Sequence, residues 1–418
     1  MVGNLFNSGK NPTNMKFAHL ADCHLGGWRD PKMRELVLAS FRSTIQNCID
    51  EKVDFVLICG DLFNTAIPGI DVIKEAVIQL RKLKSVGIPV YVIPGSHDYS
   101  PSGKTVIDVL HEADLCRNVY KGEVKDSKLF LKFTQDEKTS VKFCGILGKR
   151  GELEKNYYEM LDLKSLEDEP GTKIFLFHSP MEELRGNHSM QALPLSSFPK
   201  GFAYYAGGHV HQVVQIRENG YGAFAYPGPL FPNSFSELEE LKVGGYYIVE
   251  LEGEAKVSRR DIKLKELTAI VMDCNAKNAN EISDELISKA QNLKCRDSLV
   301  MIRLFGKLSV GSIADIRFRQ IFSELYGNGA YYVMRNTWQL ESPELSSVEQ
   351  SDASVEDIER KVIAEHAKQI PLPDELASNE EEILLQLLSA LSTDKAEGET
   401  QASHEQRIIN SANRILRL

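Results

Sequence analysis

The sequence contains five short groups of aspartate and histidine residues, each placed directly after an apolar run typical of a β-strand. They are Asp22-Cys-His24, Gly60-Asp61, Gly95-Ser-His97-Asp98, the single His178, and Gly207-Gly-His209-Val-His211. A lone histidine in such a position is usually structural, but five groups at the same topological position indicate a shared site. In an open α/β sheet the carboxyl ends of the strands line one crevice, so residues that are distant in sequence meet there.

The types and spacing of these residues predict a centre for two divalent metal ions. Asp22 and His24 are two residues apart, as are His209 and His211, so at an extended strand end the two side chains of each pair point the same way. Asp61 is the natural bridge, since one carboxylate can serve two ions that lie ~3.5 to 4 Å apart. Imidazole and carboxylate ligands without thiolate favour Mn, Fe or Zn over Ca, and an exchangeable, oxygen-rich site favours Mn.

Alternating strands and helices are predicted to position these groups. Four apolar runs in the first part of the chain predict strands, at 17–21, 55–59, 90–93 and 174–177. Segments 33–52 and 73–86 carry apolar residues at helical spacing. Three later runs are short, aromatic and bounded by glycine, at 203–207, 222–226 and 245–251. Mixed α/β sequence followed by β sequence predicts a two-sheet sandwich flanked by helices.

We divide the chain into five segments. They are a leader at 1–14, a first domain at 15–255, a compact α+β domain at 256–340, an acidic linker at 341–377 and a helical tail at 378–418. The tail carries two amphipathic helix patterns that are too small to form a core of their own. These helices must therefore dock, either on the rest of this chain or in the groove of a partner.

The net charge of the chain is unevenly distributed. The formal charge is −10, which for the whole chain argues against a nucleic-acid partner. Residues 341–382 hold 13 acidic and 3 basic residues, and the rest of the chain holds 46 of each. The acidity thus belongs to one late stretch, and the body that carries the aspartate and histidine groups is neutral.

The composition favours an intracellular enzyme. Seven cysteines are present, an odd number without a C-x-x-C pair, and most lie in apolar runs, which is typical of a reducing compartment. No window reaches the ~18 uninterrupted apolar residues of a membrane span. We therefore expect a cytoplasmic protein that does not associate with membranes.

The five groups resemble the signature of the calcineurin-like metallophosphoesterase superfamily, which runs D-x-H, G-D, G-N-H-D/E, H and G-H-x-H. Within it, the sequence is similar to the SbcD-type DNA double-strand-break repair nucleases and their archaeal and eukaryotic counterparts. The resemblance is carried by FAHLADCHLG at 17–26, VDFVLICGDLF at 53–63, residues 195–211 and YPGPL at 226–230. It covers residue 15 to about residue 340, together with the general layout of the tail.

The resemblance implies a fold and a role for each site residue. The fold would be a four-layer α/β-β/α metallophosphoesterase sandwich with a small α+β capping domain and a C-terminal helical tail. One Mn²⁺ would be held by Asp22, His24, Asp61 and His211, and a second by Asp61, the residue at 96, His178 and His209. His97 would be the general acid for the leaving 3′ oxygen, with Asp98 orienting its imidazole. The family has Asn where this chain has Ser96, so we expect a weaker second metal site.

The resemblance also implies partners. The chain would act on DNA, form a homodimer through helices at 70–86 and 105–113, and bind a coiled-coil ABC-type ATPase through the helices of its tail. The basic residues Lys256, Arg259 and Arg260 either contact DNA phosphates or form a solvated strand edge.

Three functions are compatible with the sequence. The favoured one is a Mn-dependent DNA exo/endonuclease of double-strand-break repair. The first alternative is a phosphoesterase for small nucleotides or phosphoproteins, which would share the metal site but have no DNA surface. The second alternative is a DNA-end-binding scaffold whose catalysis is weakened by Ser96.

Overall fold

The computed structural model describes residues 15–100, 103–149, 153–184, 192–342, 363, 379–393 and 401–416. The predicted leader and nearly all of the predicted linker lie outside these residues. The chain divides into two compact units, Met1–Leu264 and Lys265–Leu418.

The first unit alternates strands and helices over most of its length. Its elements are β1 (Met15–Leu20), α1 (Pro31–Asp50), β2 (Phe55–Cys59), α2 (Ile70–Ser85), β3 (Val90–Ile93), α3 (Val106–Glu112), β4 (Arg117–Asn118), β5 (Gly122–Lys125), β6 (Lys128–Leu131), β7 (Thr134–Gln135), β8 (Lys142–Ile146), α4 (Lys155–Met160), α5 (Leu163–Glu167), β9 (Lys173–His178), β10 (Tyr204–Gly208), β11 (Val214–Arg217), β12 (Ala223–Tyr226), α6 (Phe235–Leu241), β13 (Gly244–Glu252) and β14 (Glu254–Ile262). Short 3-10 helices lie at Glu182–Leu184 and Leu195–Ser197.

Two six-stranded sheets form the centre of this unit. The first has the order β14-β13-β1-β2-β3-β4, and the second has the order β11-β12-β10-β9-β8-β7. Strands β1 to β4 are parallel, as are β8, β9, β10 and β12. Parallel neighbours end at the same edge of a sheet, so the residues that follow β1, β2 and β3 come together, as do those that follow β9 and β10.

The core lies between the two sheets. Phe17, Phe55 and Tyr91 of the first sheet belong to the same buried cluster as Phe143 and Tyr204 of the second. Within the first sheet the Phe17 and Phe55 rings stack at 4.8 Å, and across the interface between the sheets the Tyr91 and Phe143 rings stack at 4.0 Å. Aromatic contacts across the interface stabilise it beyond the burial of their area.

Helices cover the outer faces. Along β1 and β2, the residues between those of the central cluster, such as Ala18 and Val56, are also fully buried. Helices α1 and α2 supply buried apolar faces for this outer side of the first sheet. Helix α1 begins at Pro31, where Asp30 accepts hydrogen bonds from the backbone of Lys32 and Met33. Side chains of α4, α5 and the segment around Phe198 form a second buried cluster with the outer face of the second sheet. The predicted four-layer sandwich is confirmed.

The second unit is a compact α+β block followed by two helices. Its elements are β15 (Glu266–Asp273), α7 (Ala279–Asn292), β16 (Ser298–Lys307), α8 (Phe318–Gly327), β17 (Tyr332–Glu341), α9 (Glu380–Leu391) and α10 (Gln401–Leu416), with a 3-10 helix at Ile313–Asp315. Strands β15, β16 and β17 form a parallel sheet, and its apolar side forms one core with α7 and α8. Helices α9 and α10 pack against each other.

The boundary between the units differs from the sequence-based division. We placed it between residues 255 and 256, but β14 pairs with β13 along its whole length and forms an edge of the first sheet. The first unit therefore extends to Leu264. Lys256, Arg259 and Arg260 lie on β14 and belong to the first unit.

Two further expectations concern the state of the cysteines and the presence of membrane spans. All seven cysteines are buried and free. Within the described residues, every helix is too short or too polar to cross a membrane.

Candidate metal centre

The strand ends bring most of the predicted site residues together. Asp22 and His24 follow β1, Asp61 follows β2, and residues 96–98 follow β3. His178 is the last residue of β9, while His209 and His211 follow β10. Three groups have potential ligand atoms within 4.8 Å of one another, namely Asp22 with His24 and His211, Asp22 with Asp61 and His178, and His24 with Asp61 and His97. His209 belongs to none of the three, although its ring centroid lies 5.0 Å from that of His178.

The backbone at these residues is not extended, and our expectation on this point was wrong. Asp22, His24, Asp61 and His211 have φ angles of 49°, 43°, 50° and 54°, and His209 has a φ of 93°. These values lie in the left-handed region that non-glycine residues seldom adopt. The strands end before the site, and tight turns, rather than the alternation of a strand, aim the side chains at the common point.

Backbone hydrogen bonds hold these turns to one another. The Asp22 amide donates to the Gly60 carbonyl at 3.2 Å, and the His24 amide donates to the Asp61 carbonyl at 2.9 Å. The His209 amide donates to both Asp22 carboxylate oxygens, at 3.0 and 3.1 Å. The Asp22 carboxylate thus links the two sheets at the site.

Two glycines make room for the site. A Cβ on Gly60, whose φ is 83°, would lie 2.1 Å from Nδ1 of His178, and a Cβ on Gly95 would lie 2.2 Å from the Asp61 carboxylate. Any side chain at either position would displace a candidate ligand.

Asp61 lies at the centre of the arrangement. Its Oδ1 accepts a hydrogen bond from the His97 amide at 2.7 Å, and its Oδ2 accepts one from the Ser96 hydroxyl at 3.3 Å. The same Oδ2 lies 3.2 Å from Nε2 of His178 and 3.9 Å from Nε2 of His24. The Asp61 carboxylate therefore lies close to histidines from both sheets, a position suited to a ligand shared by two ions.

Burial and charge favour protonation states suited to metal binding. Burial lowers the pKa of His24 and of His209 to about 3, so both imidazoles are neutral at physiological pH. Burial opposes ionisation of Asp61, but the charge of His178 outweighs it and lowers the pKa of Asp61. Burial would likewise lower the pKa of His178, but the Asp61 carboxylate outweighs it and raises that pKa to about 10. In the protein without metal, protonated His178 balances the negative charge of the Asp61 carboxylate. A bound cation would take over that role.

Atoms left without partners show that the centre fits metal ions. Among the described residues, buried His178 Nε2 has no partner in hydrogen-bond geometry, although it lies 3.2 Å from Oδ2 of Asp61. Nε2 of His24 lies 2.9 Å from Nε2 of His211, and the described part of the chain offers buried Nδ1 of His24 no hydrogen-bond partner. Buried polar atoms without partners are costly, and a cation that accepts lone pairs from converging imidazoles and carboxylates removes that cost.

His97 and Asp98 are placed differently from the expectation. His97 Nδ1 lies 2.8 Å from the Asn64 carbonyl oxygen, which only accepts, so Nδ1 carries the proton in that bond. The Asp98 carboxylate does not orient this ring, because its two oxygens accept hydrogen bonds from the backbone amides of Leu62, Phe63 and Gly95. Asp98 thus fixes the loops that carry Asp61 and His97. Burial raises the pKa of Asp98 to about 7, with a further contribution from Asp61.

Two positioning residues were missed in the sequence. Asn64 holds the His97 ring through its backbone carbonyl, which a sequence pattern cannot reveal. Glu237, in the first turn of α6, accepts a hydrogen bond from Nδ1 of His211 at 3.1 Å and one from the Asn233 amide at 2.8 Å. A sequence pattern could have indicated Glu237, because Ser234 three residues before it is typical of a helix N-terminus. In the structure the Ser234 hydroxyl accepts a hydrogen bond from the Glu237 amide. This carboxylate turns His211 Nε2 toward the centre.

The basic residues of β14 are engaged in structural contacts. Arg260 donates to both carboxylate oxygens of Glu51, at 2.8 and 3.2 Å. Arg259 donates to Asp261 and to the Pro227 carbonyl, each at 2.6 Å. Lys256 is exposed. These contacts favour the strand-edge interpretation over a DNA surface.

Comparison with known proteins agrees with the geometry. Residues 15–213 match the family of calcineurin-like phosphoesterases. The DNA double-strand break repair protein Mre11 of Methanococcus maripaludis is 28% identical over 293 residues, which cover 67% of this chain and 74% of that protein. The Mre11 proteins of Archaeoglobus fulgidus and Methanocaldococcus jannaschii are 31% and 27% identical, over 51% and 70% of this chain and 49% and 76% of their own length.

A solved structure shows a more distant likeness. It is a dimetal phosphatase from Danio rerio, with a TM-score of 0.38 and 11% identity over 60% of this chain and 98% of that chain. This likeness is too low to bear on function. The family match places a calcineurin-like phosphoesterase domain at residues 15–213, and the similarity to the Mre11 relatives extends over a longer part of the chain.

Proposed function

We propose that this chain, with its calcineurin-like phosphoesterase domain, is a Mn-dependent DNA exo/endonuclease of double-strand-break repair that hydrolyses phosphodiester bonds with two metal ions. The observation that carries the proposal is the convergence of Asp22, Asp61, His24, His178 and His211 on one point. The similarity to proteins named for double-strand-break repair supports DNA as the substrate.

The described residues suggest how two metal ions would be held. One ion would bind Asp22, His24, Asp61 and His211. The other would bind Asp61, His178 and, as the family resemblance implies, His209, with Ser96 a weak contributor because its hydroxyl already donates to Asp61. When bound, such ions activate water and neutralise the charge that builds up on phosphorus during attack. Mn²⁺ suits a site of mixed imidazole and carboxylate ligands without thiolate.

His97 would supply the proton for the leaving oxygen. Its Nδ1–H is held by the Asn64 carbonyl, and its backbone amide is held by Asp61, so the ring is fixed with Nε2 directed away from both anchors. A doubly protonated His97 would keep the Asn64 bond while donating from Nε2 to the departing 3′ oxygen. The imidazole ring of His97 lies edge-on to that of His24, at 4.8 Å between centroids, which places this donor beside the metal centre.

Exposed apolar side chains support the proposed partners. Ile70 at the start of α2 and Val109 on α3 are 85% and 64% exposed, in the two helices proposed for the homodimer. Leu391 of α9 and Ile409 of α10 are 60% and 50% exposed, which supports the docking of the tail on a coiled-coil ABC-type ATPase. ATP would be hydrolysed by that partner. We propose an intracellular location, consistent with seven free cysteines.

A Mn-dependent assay tests the proposal. Full-length protein is incubated with end-labelled duplex and hairpin DNA, with cyclic nucleotides and with p-nitrophenyl phosphate, with and without the ATPase partner. We expect cleavage of DNA that requires Mn²⁺ and that falls by a factor of about 10² to 10⁴ in His97→Ala, the usual contribution of a general acid. Hydrolysis of the small esters in the absence of any DNA cleavage would refute the nuclease and favour the small-substrate phosphoesterase.

A further inference from the structure

A lysine held by two tyrosines lies beside the metal centre and has no part in the chemistry described above. Nζ of Lys149 donates to the Tyr157 hydroxyl at 2.7 Å. The same atom lies 4.3 Å from the centroid of the Tyr157 ring and 5.4 Å from that of Tyr99. Such distances are within the range of cation–π attraction, so the two rings hold the ammonium group in place.

The residue before this lysine packs directly on the metal centre. The Gly148 amide donates to the Pro94 carbonyl at 3.0 Å, immediately before the loop that carries Ser96 and His97. A Cβ on Gly148 would lie 2.4 Å from Cδ2 of His178. The Lys149 backbone therefore begins next to His178, and Lys149 Nζ lies beside Tyr99, two residues after His97.

A buried carboxylate fixes the other side of the same turn. The Lys149 amide donates to one oxygen of Glu154 at 3.1 Å, and the Ser179 hydroxyl donates to the other at 3.3 Å. Ser179 follows His178 directly, and Glu154 is 3% exposed. The lysine is thus anchored through its backbone to both loops that border the centre, and Tyr99 joins it from the segment after His97.

The ammonium group keeps its charge available for a ligand. Among the described residues, the partners of Lys149 Nζ are the two tyrosines, and none of them is a carboxylate. Burial would raise the pKa of Tyr157, but hydrogen bonds with Lys149 and Tyr120 outweigh it and lower that pKa. A fixed cation without a countercharge on the rim of a phosphoesterase site is suited to bind a phosphate.

We infer that Lys149 binds the phosphate adjacent to the scissile one in a polynucleotide substrate, with Tyr99 and Tyr157 positioning its ammonium group. This inference rests on the proposed function, because only a substrate with a second phosphate can reach such a subsite. A small diester with a single phosphate would be hydrolysed without using it.

The test compares two substrates in the full-length protein. Lys149→Ala should raise the KM for a DNA oligonucleotide about tenfold, the size expected for loss of one partly exposed hydrogen bond to a charged group, and should leave kcat nearly unchanged. The kinetics on bis(p-nitrophenyl) phosphate should stay as in the wild type. The slope of log KM against log salt should fall by about 0.7 to 0.9, since one phosphate contact is lost. Lys149→Arg keeps the charge and should restore the KM.

A matched control removes a lysine at the opposite end of the sheet. Nζ of Lys138 pairs with Asp54 at 2.6 Å, immediately before β2 begins, and its side chain is 64% exposed. Lys138→Ala changes the net charge equally and should alter neither KM nor salt slope. If the Tm of Lys149→Ala is lower than that of the wild type, Lys149→Gln is used in its place. Glutamine retains a hydrogen-bond donor for Tyr157, and the expected kinetics are the same.

Each outcome decides between the inference and the proposed function. If the wild type cleaves DNA but Lys149→Ala and Lys149→Gln keep its KM and salt slope, the inference alone is overturned. Equal losses on both substrates would also overturn it, because they would mark Lys149 as structural. If the wild type hydrolyses bis(p-nitrophenyl) phosphate and no DNA, the proposed function fails and the inference fails with it.

Discussion

Replacing Glu237 by alanine should weaken metal binding without altering any proposed ligand. Glu237 holds His211 by a 3.1 Å hydrogen bond to Nδ1, which leaves Nε2 to face the metal centre. Partners of this kind typically contribute 10- to 100-fold to metal affinity, because they fix the tautomer and orientation of the ligating ring. We expect the Kd of one Mn²⁺ ion to rise by about that factor in Glu237→Ala, while the second ion, bound without His211, keeps its affinity.

The Glu237 carboxylate also stabilises the fold, and this contribution to stability can be measured separately from the effect on metal affinity. Its other oxygen accepts the Asn233 amide at 2.8 Å. Loss of one such bond costs about 1 kcal/mol, which lowers the Tm of a unit of this size by about 2 to 4 °C. Glu237→Gln keeps an oxygen acceptor for one of the two donors but loses the charge, so its metal affinity should lie between those of the wild type and Glu237→Ala.

Isothermal titration with Mn²⁺ of metal-free protein measures both sites, and thermal melting in EDTA measures the fold. Glu240→Ala, on the exposed side of the same helix, removes the same charge and should behave as the wild type in both experiments. Glu237→Ala protein that binds two ions with wild-type affinity would refute the argument that this carboxylate orients His211.

Three further perturbations follow from contacts described above. Gly60→Ala places a Cβ 2.1 Å from Nδ1 of His178 and should abolish tight metal binding, whereas Gly87→Ala, with a φ of 73° and an empty surrounding, should cost only about 1 kcal/mol of stability in urea unfolding. Ser96→Asn supplies an amide oxygen as a ligand and should raise occupancy of the second site in metal counting at limiting Mn²⁺, and wild-type protein already saturated there would contradict this. Arg260→Ala should cost no more than about 1 kcal/mol, because the ion pair is partly exposed. Hydrogen bonding to Arg260 lowers the pKa of Glu51, the residue that caps the end of α1. This contribution is therefore present above the usual glutamate pKa and is lost as pH falls through the lowered value, as urea unfolding at pH 7 and at a series of acidic pH values would show.

The sequence predicted the sheet and the convergence of the site residues because both depend on local patterns and topology. Short apolar runs followed by aspartate or histidine mark the ends of parallel strands, and parallel strands end together. The left-handed turns at Asp22 and His211 could not be predicted, since neither residue type requires such a conformation. The partner of His97 was mistaken because Asp98 was assigned by resemblance to the family, whereas the fold places the Asn64 carbonyl against the ring.

The end of the first unit was misplaced for a related reason. Strand β14 is an edge strand, and its polar, basic sequence resembles the start of a new unit. Its membership in the first sheet depends on the long hairpin with β13, whose two strands pair from Gly244 with Ile262 to Glu252 with Glu254. A pairing partner is a tertiary property that the pattern of one strand does not contain.

The left-handed backbone of the site has a consequence for how variants of this enzyme should be judged. Asp22, His24, Asp61, His209 and His211 each occupy a conformation that costs about 1 to 2 kcal/mol for an ordinary residue. Glycine at any of these positions would relieve that cost and remove a ligand at the same time. The most heat-resistant variants from a random library would therefore include inactive ones, and selection for thermal stability alone would erode catalysis.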